Sequence, residues 1–68
     1  MPRYEAAIYN QDVRTARAEG KSHPKISDDW ANARFIEVEA MNESMARAKL
    51  ARDYPESDGF IIDELTAE

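Results

Sequence analysis

Apolar and polar positions alternate in three places along the chain and lose that period between them. In RYEAAIYN, residues 3–10, Tyr4, Ala6 and Ile8 fall on one side while Glu5, Ala7 and Tyr9 fall on the other. That is the two-residue period of a strand. Residues 34–40 alternate again, with Ile36, Val38 and Ala40 facing one way and Phe35, Glu37 and Glu39 the other, as expected of a strand with one wet face. GFIIDEL, residues 59–65, reads as a last strand with Phe60 and Ile62 opposed to Ile61, Asp63 and Leu65. Its adjacent apolar pairs suggest that both of its faces are partly covered.

Between the second and third strands the pattern changes to that of a helix. Asn42 offers an acceptor to the free amides of a first helical turn, and Glu43 sits where the helix dipole favours an acid. Ala46, Ala48, Leu50 and Ala51 are strong helix formers, and Glu43 and Arg47 form an i,i+4 pair in the better orientation. The spacing predicts a helix over residues 43–53, stopped by Tyr54-Pro55 because a residue before proline avoids the α region. Met41 and Met45 are expected to cover the sheet from this helix. ESDG then turns the chain into the last strand.

Residues 11–29, QDVRTARAEGKSHPKISDD, carry no sustained alternation and contain Gly20 and Pro24. The reading is a flexible basic loop with some helical turn in it. The alternative is a short helix from about Asp12 to Glu19, with Asp12 as its cap and Gly20 as the left-handed residue that ends it. The predicted order is β-loop-β-α-β in a single domain, residues 1–68, of α+β class. A first strand lying between the other two and antiparallel to both would satisfy all three. This gives a split βαβ, an abbreviated ferredoxin-like layout, with one helix on one face of a three-stranded sheet.

A chain of 68 residues buries only about 60% of the surface its unfolded form exposes, so the core must be thin. Hydrophobic residues make up 43% and charged residues 34%, and there is no cysteine. Disulfides, thiolate nucleophiles and the common structural zinc sites are thereby excluded. A small domain without such staples gains from self-association, which makes a homodimer an open expectation. No apolar run reaches the length of a membrane span, and MPRYEAAIYN lacks the apolar region of a signal peptide. We expect a cytoplasmic, soluble protein without a cofactor. The formal net charge of −5 argues against general binding to nucleic acid or anionic membranes.

Candidate chemistry is sparse. His23 in KSHPK is the sole histidine, and a general base needs a partner and a pocket that this loop does not announce. Asp28 and Asp29 lack the further oxygens of a calcium or magnesium site, and SDDWA reads better as a turn or cap. Glu37 and Glu39 lie about 7 Å apart along one strand face, a separation some acid/base pairs use, although a solvated face accounts for them equally well. The glycines are too far apart to cradle a phosphate. The sequence therefore predicts no catalytic residue and no metal ligand, and we expect no enzyme.

Charge is more informative. Residues 13–25 hold Arg14, Arg17, Lys21 and Lys25 against Glu19 alone, whereas residues 53–68 hold Asp53, Glu56, Asp58, Asp63, Glu64 and Glu68 with no base. The two poles could be ordinary solvated surface, or one could dock on a charged partner. Trp30 is either the plug of a thin core or, with Arg, an interface anchor.

EVEAMNESMARAKLARDYP followed by GFIIDEL resembles a pattern of small bacterial and phage-encoded proteins, some anti-CRISPR inhibitors among them, and of the small non-catalytic subunit of phenylacetyl-CoA oxygenases. The likeness lies in element order over the second half of the chain and carries over no site residue. It implies action by binding another protein. The expected function is a small acidic, non-enzymatic interaction domain, an accessory, adaptor or inhibitor of phage or prophage type. Its candidate contact residues are Arg14, Arg17, Lys21, Lys25, Trp30, Phe35, Glu37 and Glu39, and its partner is a protein. The alternative is nucleic-acid binding through residues 13–25, with Tyr9 or Trp30 stacking on bases.

Overall fold

A computed structural model describes residues 1–68. Five main elements follow one another: β1 (Arg3–Asn10), α1 (Gln11–Ala18), β2 (Arg34–Glu39), α2 (Glu43–Asp53) and β3 (Phe60–Ala67), with 3-10 turns at Asp28–Ala31 and Glu56–Asp58. The strands form one sheet in the order β2-β1-β3, and β1 is antiparallel to both neighbours. The fold is α+β with two helices, so the expectation of a single helix is corrected.

The second helix is α1, and it occupies part of the segment read as a flexible loop. Its cap is Asn10 rather than Asp12: the Asn10 backbone is still extended, and its side-chain oxygen accepts from the Val13 amide at 3.1 Å. After Ala18 the Gly20 amide donates to Arg17 and the Lys21 amide to Ala16, with Gly20 at φ 74°. This is a glycine-terminated C-cap. Its span and its glycine stop agree with the alternative of a short helix from about Asp12 to Glu19 ended by Gly20; periodicity alone does not favour it, because eight residues with one buried position, Val13, leave almost no apolar stripe to detect.

α2 was legible because its ends are chemically marked. Asn42 accepts from the Met45 amide at 2.9 Å, and the Tyr54 amide closes the last turn on Leu50 at 2.7 Å. Ala46 and Leu50, one turn apart, are buried, and half-buried Tyr54 continues their row. Met41 and Met45 point away, 66% and 45% exposed, which corrects their expected role: they lie off the 46-50-54 stripe. Small alanines let the helix approach closely. Ala6, Ile8 and Leu50 form the centre of the core, with Trp30, Ile36, Val38, Tyr54, Phe60, Ile62 and Leu65 packed around it.

α2 packs on one face of the sheet; on the other, Arg14 of α1 lies over the Tyr9 ring at one end. Only eight residues are buried, and the molecule measures 42 × 19 × 13 Å, so it is a long slab about one sheet and one helix thick. In β3 an irregularity matters. Ala7 pairs with Glu64 but Ile8 pairs with Ile62, leaving Asp63 as the extra residue of a bulge. Beyond it the side-chain parity flips, and Leu65 joins Phe60 and Ile62 on the covered face instead of lying opposite them.

Asn10 joins the halves of the molecule. It is fully buried, caps α1, and donates from Nδ2 to the Asp58 carbonyl at 3.0 Å, while the Gln11 amide donates to the Gly59 carbonyl at 2.7 Å. Asn10→Ala leaves the buried Val13 amide without an acceptor and the Asp58 carbonyl without its donor. A loss of about 1–3 kcal/mol is expected, read as a lowered urea midpoint; an unchanged midpoint would show that water replaces the side chain.

Candidate interaction face

Cross-strand pairing sorts the uncovered side of the sheet into rows. From one end these are Glu39 beside Arg3, Glu37 beside Glu5 beside Thr66, Phe35 beside Ala7 beside Glu64, and Tyr9 beside Ile61. The alternation that predicted Phe35, Glu37 and Glu39 on one face thus describes their position correctly. The pairing adds Glu5, Glu64 and Ile61 to them, which a single strand's pattern could not reveal.

The acidic end is crowded. Glu5 and Glu37 are direct cross-strand partners, a placement that like charges disfavour. Oxygens of Glu5, Glu37 and Glu68 lie within 4.8 Å of one another. Arg3 is the one base among them, 3.5 Å from Glu37 and 3.3 Å from Glu39. These carboxylates raise the Arg3 guanidinium above its ordinary value, the Glu39 hydrogen bond contributing most and the charges of Glu37, Glu39 and Glu68 following. A raised value contributes stability below the unfolded-state value, so Arg3 stays charged and its contribution is constant across physiological pH. Three exposed or half-exposed carboxylates, one already held by Arg3, fall short of the oxygen set of a calcium site.

The opposite end is aromatic. Phe35 is 69% exposed, out of proportion to its apolar surface. Tyr9 is half-buried beneath Arg14, whose guanidinium lies 3.6 Å from the ring centroid while its Nε donates to the Ala31 carbonyl at 2.6 Å. Arg14 is therefore a clamp between α1 and the turn before β2. Neither this role nor its ring partner is encoded in local spacing.

The remaining candidates are dispersed. Trp30 packs edge or tilted against Tyr54 and Phe60, with centroids 5.4 and 5.1 Å away, and Arg34 lies over it at 4.9 Å. It belongs to the core periphery on the helix side, away from Phe35, Glu37 and Glu39. Arg17, Lys21 and Lys25 are exposed and enter no ion pair. His23 serves its own turn: its Nδ1 accepts from the Lys25 and Ile26 amides, both at 3.0 Å. Asp28 accepts from Ser22, and Ser27 caps the 3-10 turn that contains Asp28 and Asp29.

No helix is long and apolar enough to cross a membrane. No protein-family model, curated protein or solved structure matches the chain.

Proposed function

We propose that this protein is a non-enzymatic, cytoplasmic interaction domain, an accessory, adaptor or inhibitor whose uncovered sheet face docks on a basic surface of a protein partner. The observation that carries this reading is Phe35, 69% exposed beside a face on which Arg3 alone answers Glu5, Glu37, Glu39, Glu64 and Glu68. An exposed aromatic supplies the apolar anchor, and the acids steer and select a positively charged partner. The β2-α2-β3 crossover around β1 we read as an abbreviated split βαβ, whose single large helix leaves this face free.

Three strands of this length present a face of roughly 350 Å², taking ~4.8 Å between strands and ~3.3 Å per residue. That is below half of a standard interface side. Binding through it is therefore expected to be weak to moderate and sensitive to salt. The nucleic-acid alternative is weakened by the same geometry: Arg14 and Tyr9 are engaged with each other, and Trp30 is packed among Tyr54 and Phe60. That leaves Arg17, Lys21 and Lys25 without an accompanying stacking platform.

The test is quantitative capture of host proteins by the wild type, Phe35→Asp and Glu37→Lys, with far-UV circular dichroism to verify folding. Both positions are exposed, so stability should change by no more than about 0.5 kcal/mol. Capture of one partner should fall by about tenfold or more in each variant, as expected at an interface anchor, and should fall for the wild type as salt rises. Equal capture by all three proteins would remove the proposal.

A further inference from the structure

A second surface lies at the outer edge of β3 and meets the uncovered face only through Ile61 and Glu64. β3 ends the sheet, so one row of its backbone amides and carbonyls has no strand beside it. α2 leans toward the opposite edge, where Lys49 Nζ donates to the Glu39 carbonyl of β2 at 2.7 Å. This leaves a groove of about 390 Å³ between α2 and β3, walled by Ala51 and Tyr54 on the helix and Phe60, Ile61 and Ile62 on the strand, with Arg47 and Glu56 at its margin. An apolar groove alongside a free strand edge is the geometry of β-strand addition: main-chain pairing gives affinity and the groove takes alternate side chains.

The charge along the edge selects the occupant. Sheet edges are commonly guarded by lysine, but Phe60–Ala67 contains no base; it reads apolar at Phe60, Ile61 and Ile62, then acidic at Asp63 and Glu64. A second copy pairing antiparallel about the middle of β3 would bring Asp63 and Glu64 against the same residues of its partner, and like charges directly opposite oppose pairing. A strand with bases opposite Asp63 and Glu64 and apolar residues opposite Ile61 and Ile62 meets no such conflict. We infer that the β3 edge and the adjoining groove take an extended, basic-and-apolar segment of a partner polypeptide as a fourth strand.

The experiment titrates the isotopically labelled full chain with a short capped peptide of two basic residues followed by alternating Val and Thr, observed by backbone amide NMR. Shifts are expected at Ile62, Asp63, Ala51 and Tyr54, and not at Phe35, Glu37 or Glu5. The same peptide N-methylated at alternate amides, which blocks strand pairing, should bind about tenfold more weakly or worse. A peptide with acids in place of its bases should also bind more weakly, and Ala51→Trp, which fills the groove from an exposed position, should reduce affinity. Absence of shifts at millimolar peptide, equal binding of the N-methylated form, or shifts confined to the uncovered face would each overturn the inference. So would concentration-dependent shifts along β3 without peptide, because a second copy would then hold the edge. Phe35→Asp should leave peptide binding unchanged, so failure here and failure of the sheet-face proposal are separable.

Discussion

Gly59→Ala should remove most of the stability of this domain. Gly59 ends the 3-10 turn Glu56–Asp58 at φ 95°, a conformation that costs an L-residue about 1–2 kcal/mol. An added Cβ would also sit 2.6 Å from an Asp12 carboxylate oxygen and 2.8 Å from the Asn10 side-chain oxygen. Asn10 is buried and holds both the start of α1 and the Asp58 carbonyl, so it cannot retreat without breaking those bonds. Each buried polar group left unpaired adds about 1–3 kcal/mol. The sum, roughly 2–5 kcal/mol, matches the whole margin of about 3–5 kcal/mol available to a core this small. Gly20 is the internal comparison: it too has positive φ, at 74°, but nothing lies within 4 Å of its added Cβ. Gly20→Ala should therefore cost only the backbone term, about 1–2 kcal/mol. Urea unfolding followed by circular dichroism separates the two, and equal losses would show that the approach of Asn10 and Asp12 to Gly59 has no energetic weight.

Leu50→Ala is expected to be comparably severe. Leu50 is 2% exposed and is the helix's contribution to the core centred on Ala6 and Ile8. Truncation of such a side chain costs about 2–5 kcal/mol, depending on how far the cavity collapses. Ala6 and Ala46 are already small, so little surrounding bulk can move in. The native near-UV signal of Trp30, packed between Tyr54 and Phe60, should be lost together with the helical signal, as for a cooperative transition. Met45→Ala, at a 45% exposed position, should change stability by no more than about 0.5 kcal/mol. If Met45→Ala proved as damaging as Leu50→Ala, the buried stripe of α2 would be assigned to the wrong face.

These contrasts also explain which features could be read in the amino-acid sequence. The strands containing Ile8 and Val38 alternate cleanly, and their outward residues Glu5, Phe35, Glu37 and Glu39 follow from that alternation. Asn42 and Tyr54-Pro55 mark both ends of α2 through local chemistry. α1 was legible only as an alternative: Gly20 marked its end, but its cap at Asn10 and the Arg14 clamp to Ala31 have no period. The face of α2 was misread because methionine is apolar by composition, whereas burial here follows the geometric row through Ala46, Leu50 and Tyr54. The bulge at Asp63 inverted the assignment of Leu65, since parity along a strand holds only while pairing is one to one.

The proposed face was legible at its aromatic and acidic positions on β2 and illegible elsewhere. Its remaining members come from β1 and β3, so they required the strand order and register. Trp30 lies at the core, one of the two places its type allowed, and Arg14, a candidate contact by type, covers Tyr9. The groove beside β3 depends on which way α2 leans, and no spacing in the sequence reports that.

Whether the uncovered sheet face is the docking surface can be asked directly by placing a photo-crosslinking phenylalanine analogue at Phe35 and, separately, at the exposed Ala48 of α2, in the native host. A discrete adduct with one basic protein from position 35, diminished by Glu37→Lys and absent from position 48, is the expected result. An adduct from position 48 with none from position 35 would contradict it.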